Sequence, residues 1–181
     1  MQVTTPYPTI NEWVVSDAAR RATLAGVRPA GRAVRESGAF WLGAREAIAR
    51  VAVVVLPKGR GVEESIGHWR VTPEVFGEIS RWAKPRGLTL LGIAHTHVRG
   101  VPARLSWSDR HRSVCVPGIL SVVIGNGGED DDHDKWGWYV YDEDDYRELL
   151  PPELTQRVRS NSTDAVEVLY ADTEGVWPLT S

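Results

Sequence analysis

Apolar and polar positions alternate in blocks whose period changes along the chain. A Thr- and Pro-rich lead-in covers residues 1–10. The segment Glu12 to Val15 reads as a short strand, and Ser16 is a good N-cap for a helix over 18–27 that stops near Gly26 and Pro29. "SGAFWLGA" (37–44) and "AIARVAVVVLP" (47–57) are two apolar runs joined by Arg45-Glu46, as in a hairpin or neighbouring strands. Consecutive Val53, Val54 and Val55 predict a strand buried on both faces. Residues 58–71 are Gly- and charge-rich and predict a loop.

Thr72, Pro73 and Glu74 combine three helix-start signals, Val75, Phe76, Ile79 and Trp82 recur at helical spacing, and Pro85 and Gly87 end the helix. "LTLLGIAH" (88–95), "ILSVVIG" (119–125) and "KWGWYVY" (135–141) predict strands, with the acidic "GEDDDHD" a solvated loop. Residues 151–181 open on Pro-Pro and carry one apolar patch, Val166 to Tyr170, so they read as a loosely attached tail after a domain over 1–150. This order predicts an α/β protein with a mixed central sheet flanked by helices.

Composition narrows the function classes. The chain has 181 residues, enough for one domain with a real core. A net charge of -3 argues against general nucleic-acid binding. One cysteine excludes an internal disulfide and a Cys-rich zinc knot. No stretch approaches the ~20 apolar residues of a membrane span. "MQVTTPYPTINEW" has neither the basic start nor the apolar core of a signal peptide, so a cytoplasmic protein is expected.

The chemistry concentrates in "GIAHTHVRGVPARLSWSDR" (92–110). Alternate residues of a strand share a face, so His95 and His97 can converge while Thr96 points away. Ser106 followed by Asp109 has the form of a capping box, and the loop over 98–105 can fold that helix start back onto the histidines. Two imidazoles and a carboxylate are a normal catalytic set for Zn2+, leaving a fourth position for water whose pKa falls to about 7. Ser106 is close enough to Asp109 to donate to a developing oxyanion; a base must come from elsewhere.

His95-Thr96-His97, a loop, then Ser106-x-x-Asp109 resembles the signature of the JAMM (JAB/MPN-plus) zinc metalloproteases, isopeptidases that remove ubiquitin and ubiquitin-like proteins. The order of elements over residues 10–145 is similar to that family's cytidine-deaminase-like core. The resemblance implies a glutamate base at the start of an upstream Gly- and Leu-containing strand, and "RESGAFWLG" (35–43) offers Glu36 there. Glu46, Glu63 and Glu64 are rivals that follow the strand or lie in the loop. Where the family has proline after the second histidine, this chain has Val98, and eight residues (98–105) separate His97 from Ser106.

The resemblance implies cleavage after the C-terminus of a ubiquitin-like protein, in conjugates or precursors. It also implies E1-like and E2-like operon partners, some in antiviral systems. A non-catalytic scaffold of the same fold is the alternative. A nucleobase deaminase is set aside, because Cys115-Val116-Pro117 cannot supply the required Pro-Cys-x-x-Cys.

The other candidates have plainer readings. His68 belongs to packing or surface, His111 could line the cleft, and His133 lies in the acidic loop. Cys115 reads as a small buried residue. Trp41, Trp69, Trp82, Trp107, Trp136 and Trp138 are expected in the core, Trp107 also walling the groove. Arg99, Arg104, Arg110 and Arg112 could form a basic rim for an acidic partner.

Overall fold

The computed structural model describes residues 8–179, so most of the predicted lead-in lies outside the described residues. In chain order the first elements are β1 (Glu12–Val14), α1 (Asp17–Arg32), β2 (Gly38–Gly43), β3 (Ile48–Arg50), β4 (Val53–Pro57), β5 (Val62–Glu64) and β6 (Trp69–Val71). Then come α2 (Pro73–Ala83), β7 (Thr89–Thr96), α3 (Trp107–Arg112), β8 (Leu120–Ile124), β9 (Gly137–Asp142) and β10 (Asp145–Glu148). The last elements are α4 (Pro151–Arg157), β11 (Val158–Arg159), β12 (Glu167–Asp172) and β13 (Gly175–Pro178).

Eight strands form one mixed sheet in the order β10-β9-β8-β7-β2-β4-β12-β13. β7 pairs parallel with β8 and antiparallel with β2, and β4 pairs parallel with β12. The alternation of a strand feeds two cores. Trp41, Val54 and Leu56 pack on the face covered by α1, with Ala19, Leu24 and Val27. Phe40, Leu42, Val53 and Val55 pack on the other face with Val75, Ile79 and Ala83 of α2. The run of valines is therefore buried on both sides, as its composition predicts. The mixed α/β sheet with flanking helices matches the expected class.

α1 starts where expected, the Ser16 hydroxyl accepting from the Ala19 N–H at 3.1 Å. It does not stop at Pro29 but runs to Arg32. Proline loses only its own N–H, and its carbonyl still accepts from the Ala33 N–H at 3.3 Å. Burial of Val27 in the core on that face and the close seat of Gly31 on Gly127 offset the lost bond. Thr72 takes the N-cap position of α2, but its side chain makes no capping bond.

Three expectations need correction. The run over 47–57 is not one strand. It breaks at Val51-Ala52, β3 pairing parallel with β1 in a separate three-stranded sheet and β4 entering the large one. The loop over 58–71 contains the hairpin β5–β6. Finally, the 151–181 segment is not loosely attached. β11 pairs with β1, β12 lies between β4 and β13, and Leu169 and Ala171 belong to the α2-side core. Residue 150 is thus no structural boundary. The patch Val166 to Tyr170 is what tied this segment into the sheet, since β12 buries its alternate side chains and hydrogen-bonds along β4.

Candidate metal centre

β7 is the central positioning element. In the large sheet it lies between β8 and β2, and its last four residues, Ile93 to Thr96, are buried. Gly92 pairs with Trp41 and Leu90 with Leu42, so Leu91 is an extra residue that shifts the alternation. Beyond that bulge, Ile93 and His95 face the α2 side. Ala94 packs in the α1-side core, and Thr96 points away from the site as expected, its hydroxyl accepting from the Ser37 N–H at 3.0 Å. His97 is held just past the strand, its N–H donating to Ile124 O at 3.0 Å and its carbonyl accepting from Gly127 N–H at 2.8 Å. The 126–128 turn is braced by α1 through Gly31, where a Cβ would stand 1.9 Å from Gly127 O. Only glycine permits that approach.

α3 brings the acid. Its capping box is complete: the Ser106 hydroxyl accepts from Asp109 N–H at 3.2 Å, and Asp109 Oδ2 accepts from Ser106 N–H at 2.7 Å. The same carboxylate faces both imidazoles, with Oδ1 3.5 Å from His95 Nε2 and Oδ2 3.3 Å from His97 Nε2. The His95 and His97 rings lie 5.2 Å apart. One ligand atom from each of the three residues falls within 4.8 Å of the others. His97 Nδ1 is 3.1 Å from Pro102 O, which assigns its proton to Nδ1 and turns Nε2 toward Asp109. Both histidines are buried, at 7% and 5% exposure, so this is not the solvated end of a strand.

The arrangement fits a divalent cation. His95 Nε2 is buried with no hydrogen-bond partner among the described residues, an arrangement that costs about 1–3 kcal/mol when nothing satisfies the atom. Two imidazole nitrogens and a carboxylate are a donor set that zinc accepts. Burial alone would raise the Asp109 carboxyl, but the His95 and His97 rings and the Ser106 N–H outweigh it and hold it far below its ordinary range. Burial disfavours charge on His97, yet the Asp109 partner prevails and raises that imidazole above 6.5.

A cleft of ≈310 Å³ opens beside these ligands, and Glu36, His95, Ser108 and Asp109 line it. Burial pushes the Glu36 carboxyl above its ordinary 4.5, against the pull of His97 and His95. The rival glutamates are committed elsewhere. Glu64 bonds the Ser37 hydroxyl at 2.6 Å and the Lys58 ammonium, Glu63 pairs with His68 at 2.9 Å, and Glu46 is exposed in the turn before β3. Ser106 is not among the residues lining the cleft. Its hydroxyl caps α3 and lies 2.8 Å from that of Ser108, which does line it.

Other expectations sort as follows. Trp107 is 69% exposed and stacks on His111 with ring centroids 4.3 Å apart, so it is not a core residue. A six-residue helix standing off the sheet has no second layer to bury it. Cys115 is exposed rather than buried, because Ser113 to Pro117 run without regular structure between α3 and β8. His68 sits on the hairpin and lines the cleft. Of the four rim arginines, Arg99 pairs with Glu129 at 2.6 Å and Arg110 with Asp145 at 3.2 Å, and the side chain of Arg112 lies outside the described residues. Ser108 and Ser121 were not anticipated as cleft residues. The readable signal for Ser121 was a lone hydroxyl inside the apolar run "ILSVVIG".

No helix among the described residues is long and apolar enough to cross a membrane. No protein-family model matches the chain, and no curated protein does. Among solved structures it is similar to the solution structure of a Desulfitobacterium hafniense protein, with 20% identity, TM-score 0.58, and coverage of 83% of this chain and 92% of that one. The crystal structure of a JAB1/MPN domain protein from Archaeoglobus fulgidus also matches, with 14% identity, TM-score 0.41, and coverage of 77% of this chain and 94% of that one. The first likeness is one of fold.

Proposed function

We propose that this protein is a zinc-dependent peptidase of the JAMM type, an isopeptidase that cuts after the C-terminus of a ubiquitin-like protein. One observation carries the reading: the His95, His97 and Asp109 donors converge at a cleft that Glu36 also lines. His95, His97 and Asp109 would hold the ion, which when bound supplies Lewis acidity toward a scissile carbonyl and the attacking water. Glu36 takes the proton of that water on its carboxylate and delivers it to the leaving amine. Its half-buried position raises its pKa, which moves it toward the range in which a carboxyl both takes and gives a proton. The Ser106 and Ser108 hydroxyl pair is the donor source nearest Asp109 for a developing oxyanion. Ser106 positions Asp109 from within the capping box, and Ser108 presents its side chain to the cleft. E1-like and E2-like proteins are the expected companions of such an enzyme.

The test uses the zinc-loaded protein and a ubiquitin-like fusion. Glu36→Gln is expected to lower turnover by about 10²–10⁴-fold while zinc stoichiometry stays near one. His97→Ala is expected to lower both. Zinc bound without any cleavage, in wild type and variants alike, would leave the scaffold alternative.

A further inference from the structure

The cleft holds more than the catalytic groups need. Its floor is a row of register neighbours across three strands of the sheet: Phe40 on β2, Ile93 on β7 and Ser121 on β8. His95 is the next residue of β7 on the same face. Aromatic rings form the wall, Phe40 lying 5.3 Å from Trp69 and 4.8 Å from Phe76 between centroids. Ser121 is the anomaly. It is 1% exposed, stands between buried Leu120 and Val122, and its hydroxyl makes no hydrogen bond to any described residue. With no partner among the described residues and a place in the cleft lining, this hydroxyl is free to bond a group that enters the cleft.

We propose that this cleft is a specificity pocket for a tyrosine side chain, carried by the substrate residue beside the bond that is cut. The proposal rests on the peptidase reading above. Its ≈310 Å³ is room for about ten waters, or for one large side chain with its backbone, and far more than glycine needs. A planar ring packs against the tilted rings of Phe40, Trp69 and Phe76, since aromatic groups prefer offset or tilted contacts. The phenol oxygen then finds the otherwise unpartnered Ser121 hydroxyl. A ring seated there keeps its own backbone in the same cleft that Glu36, His95 and Asp109 line.

The experiment has two arms. In the first, fusion substrates carry Tyr, Phe, Leu or Gly on either side of the cut bond. At one of the two positions Tyr is expected to exceed Phe by about tenfold in kcat/KM, and Gly to be poorest. Ser121→Ala should erase the Tyr-over-Phe difference with an unchanged melting temperature. Phe76→Ala should lower Tyr and Phe together relative to Gly. In the second arm, binding of N-acetyltyrosinamide and N-acetylglycinamide is followed by NMR, without any turnover. Binding of the tyrosine amide alone, weakened in Ser121→Ala, upholds the pocket even if no cleavage is ever seen, and the peptidase reading then falls by itself. Cleavage indifferent to Tyr, Phe or Gly, with no binding of the tyrosine amide, overturns the pocket and leaves the peptidase standing.

Discussion

His97 shows how much one side chain can be asked to do. Its Nδ1 meets the Pro102 carbonyl, its Nε2 meets Asp109, and its ring is buried. Because Asp109 raises the His97 pKa above 6.5, protons compete with a cation at higher pH than they would for an ordinary imidazole. Imidazole must be neutral to ligate, so the sign is fixed: zinc affinity falls as pH falls through that raised value. Calorimetric titrations from pH 8 to 5.5 should show the apparent affinity dropping by up to about tenfold per pH unit at the acid end, with proton release on binding. A flat profile would remove His97 from the ligand set. Zinc should also raise the melting temperature of the wild type and not of His97→Ala, since a ligand stabilises only the state that binds it.

At the scale of elements, a capping box and a strand pair set the site. Ser106→Ala deletes the acceptor for the Asp109 N–H while the Ser106 N–H still holds the carboxylate. The expected cost is about 1 kcal/mol in denaturant unfolding, together with an about tenfold loss in zinc affinity as α3 frays. An intact affinity would mean that α3 is held by the sheet and not by its cap. Gly38 pairs with His95 across β2 and β7, and a Cβ there would stand 2.4 Å from the Trp69 ring and 2.7 Å from Ala94 O. Gly38→Ala should therefore displace the β5–β6 hairpin and cost about 1–3 kcal/mol. A shift of the Trp69 resonances on substitution checks this.

The whole molecule depends on its last strands. β12 covers the open edge of β4, and its Leu169 and Ala171 complete the core under α2. Arg157 reaches back to Ile10 O and Asn11 O, each at 3.1 Å, and stacks over Trp13. A chain ending at residue 150 would expose the β4 edge and the valines beneath it. Circular dichroism and size exclusion should find it aggregated or only partly folded, whereas a monomeric truncation with a wild-type melting temperature would show that β12 is dispensable.

Local chemistry was legible in the amino-acid order. The period-2 placement of His95 and His97, the Ser106–Asp109 cap and the helix start at Pro73 are short-range patterns, decided by backbone geometry within a few residues. The same local reading failed wherever a partner far along the chain chose the outcome. Nothing within 47–57 reveals that β1 takes β3 while β12 takes β4, and Pro29 stays helical only because the sheet packs beneath it. Glu36 stands apart from its rivals in sequence by its place before the strand, but its seat in the cleft, and the pairing of Glu63 and Glu64 elsewhere, come from the tertiary fold. Ser121 is a single odd hydroxyl in sequence, and becomes the floor of a cleft only when β8 aligns with β7. Propensity and spacing act over neighbours, but burial and strand pairing are long-range contacts, and those contacts gave the donors a common centre and the cleft its walls.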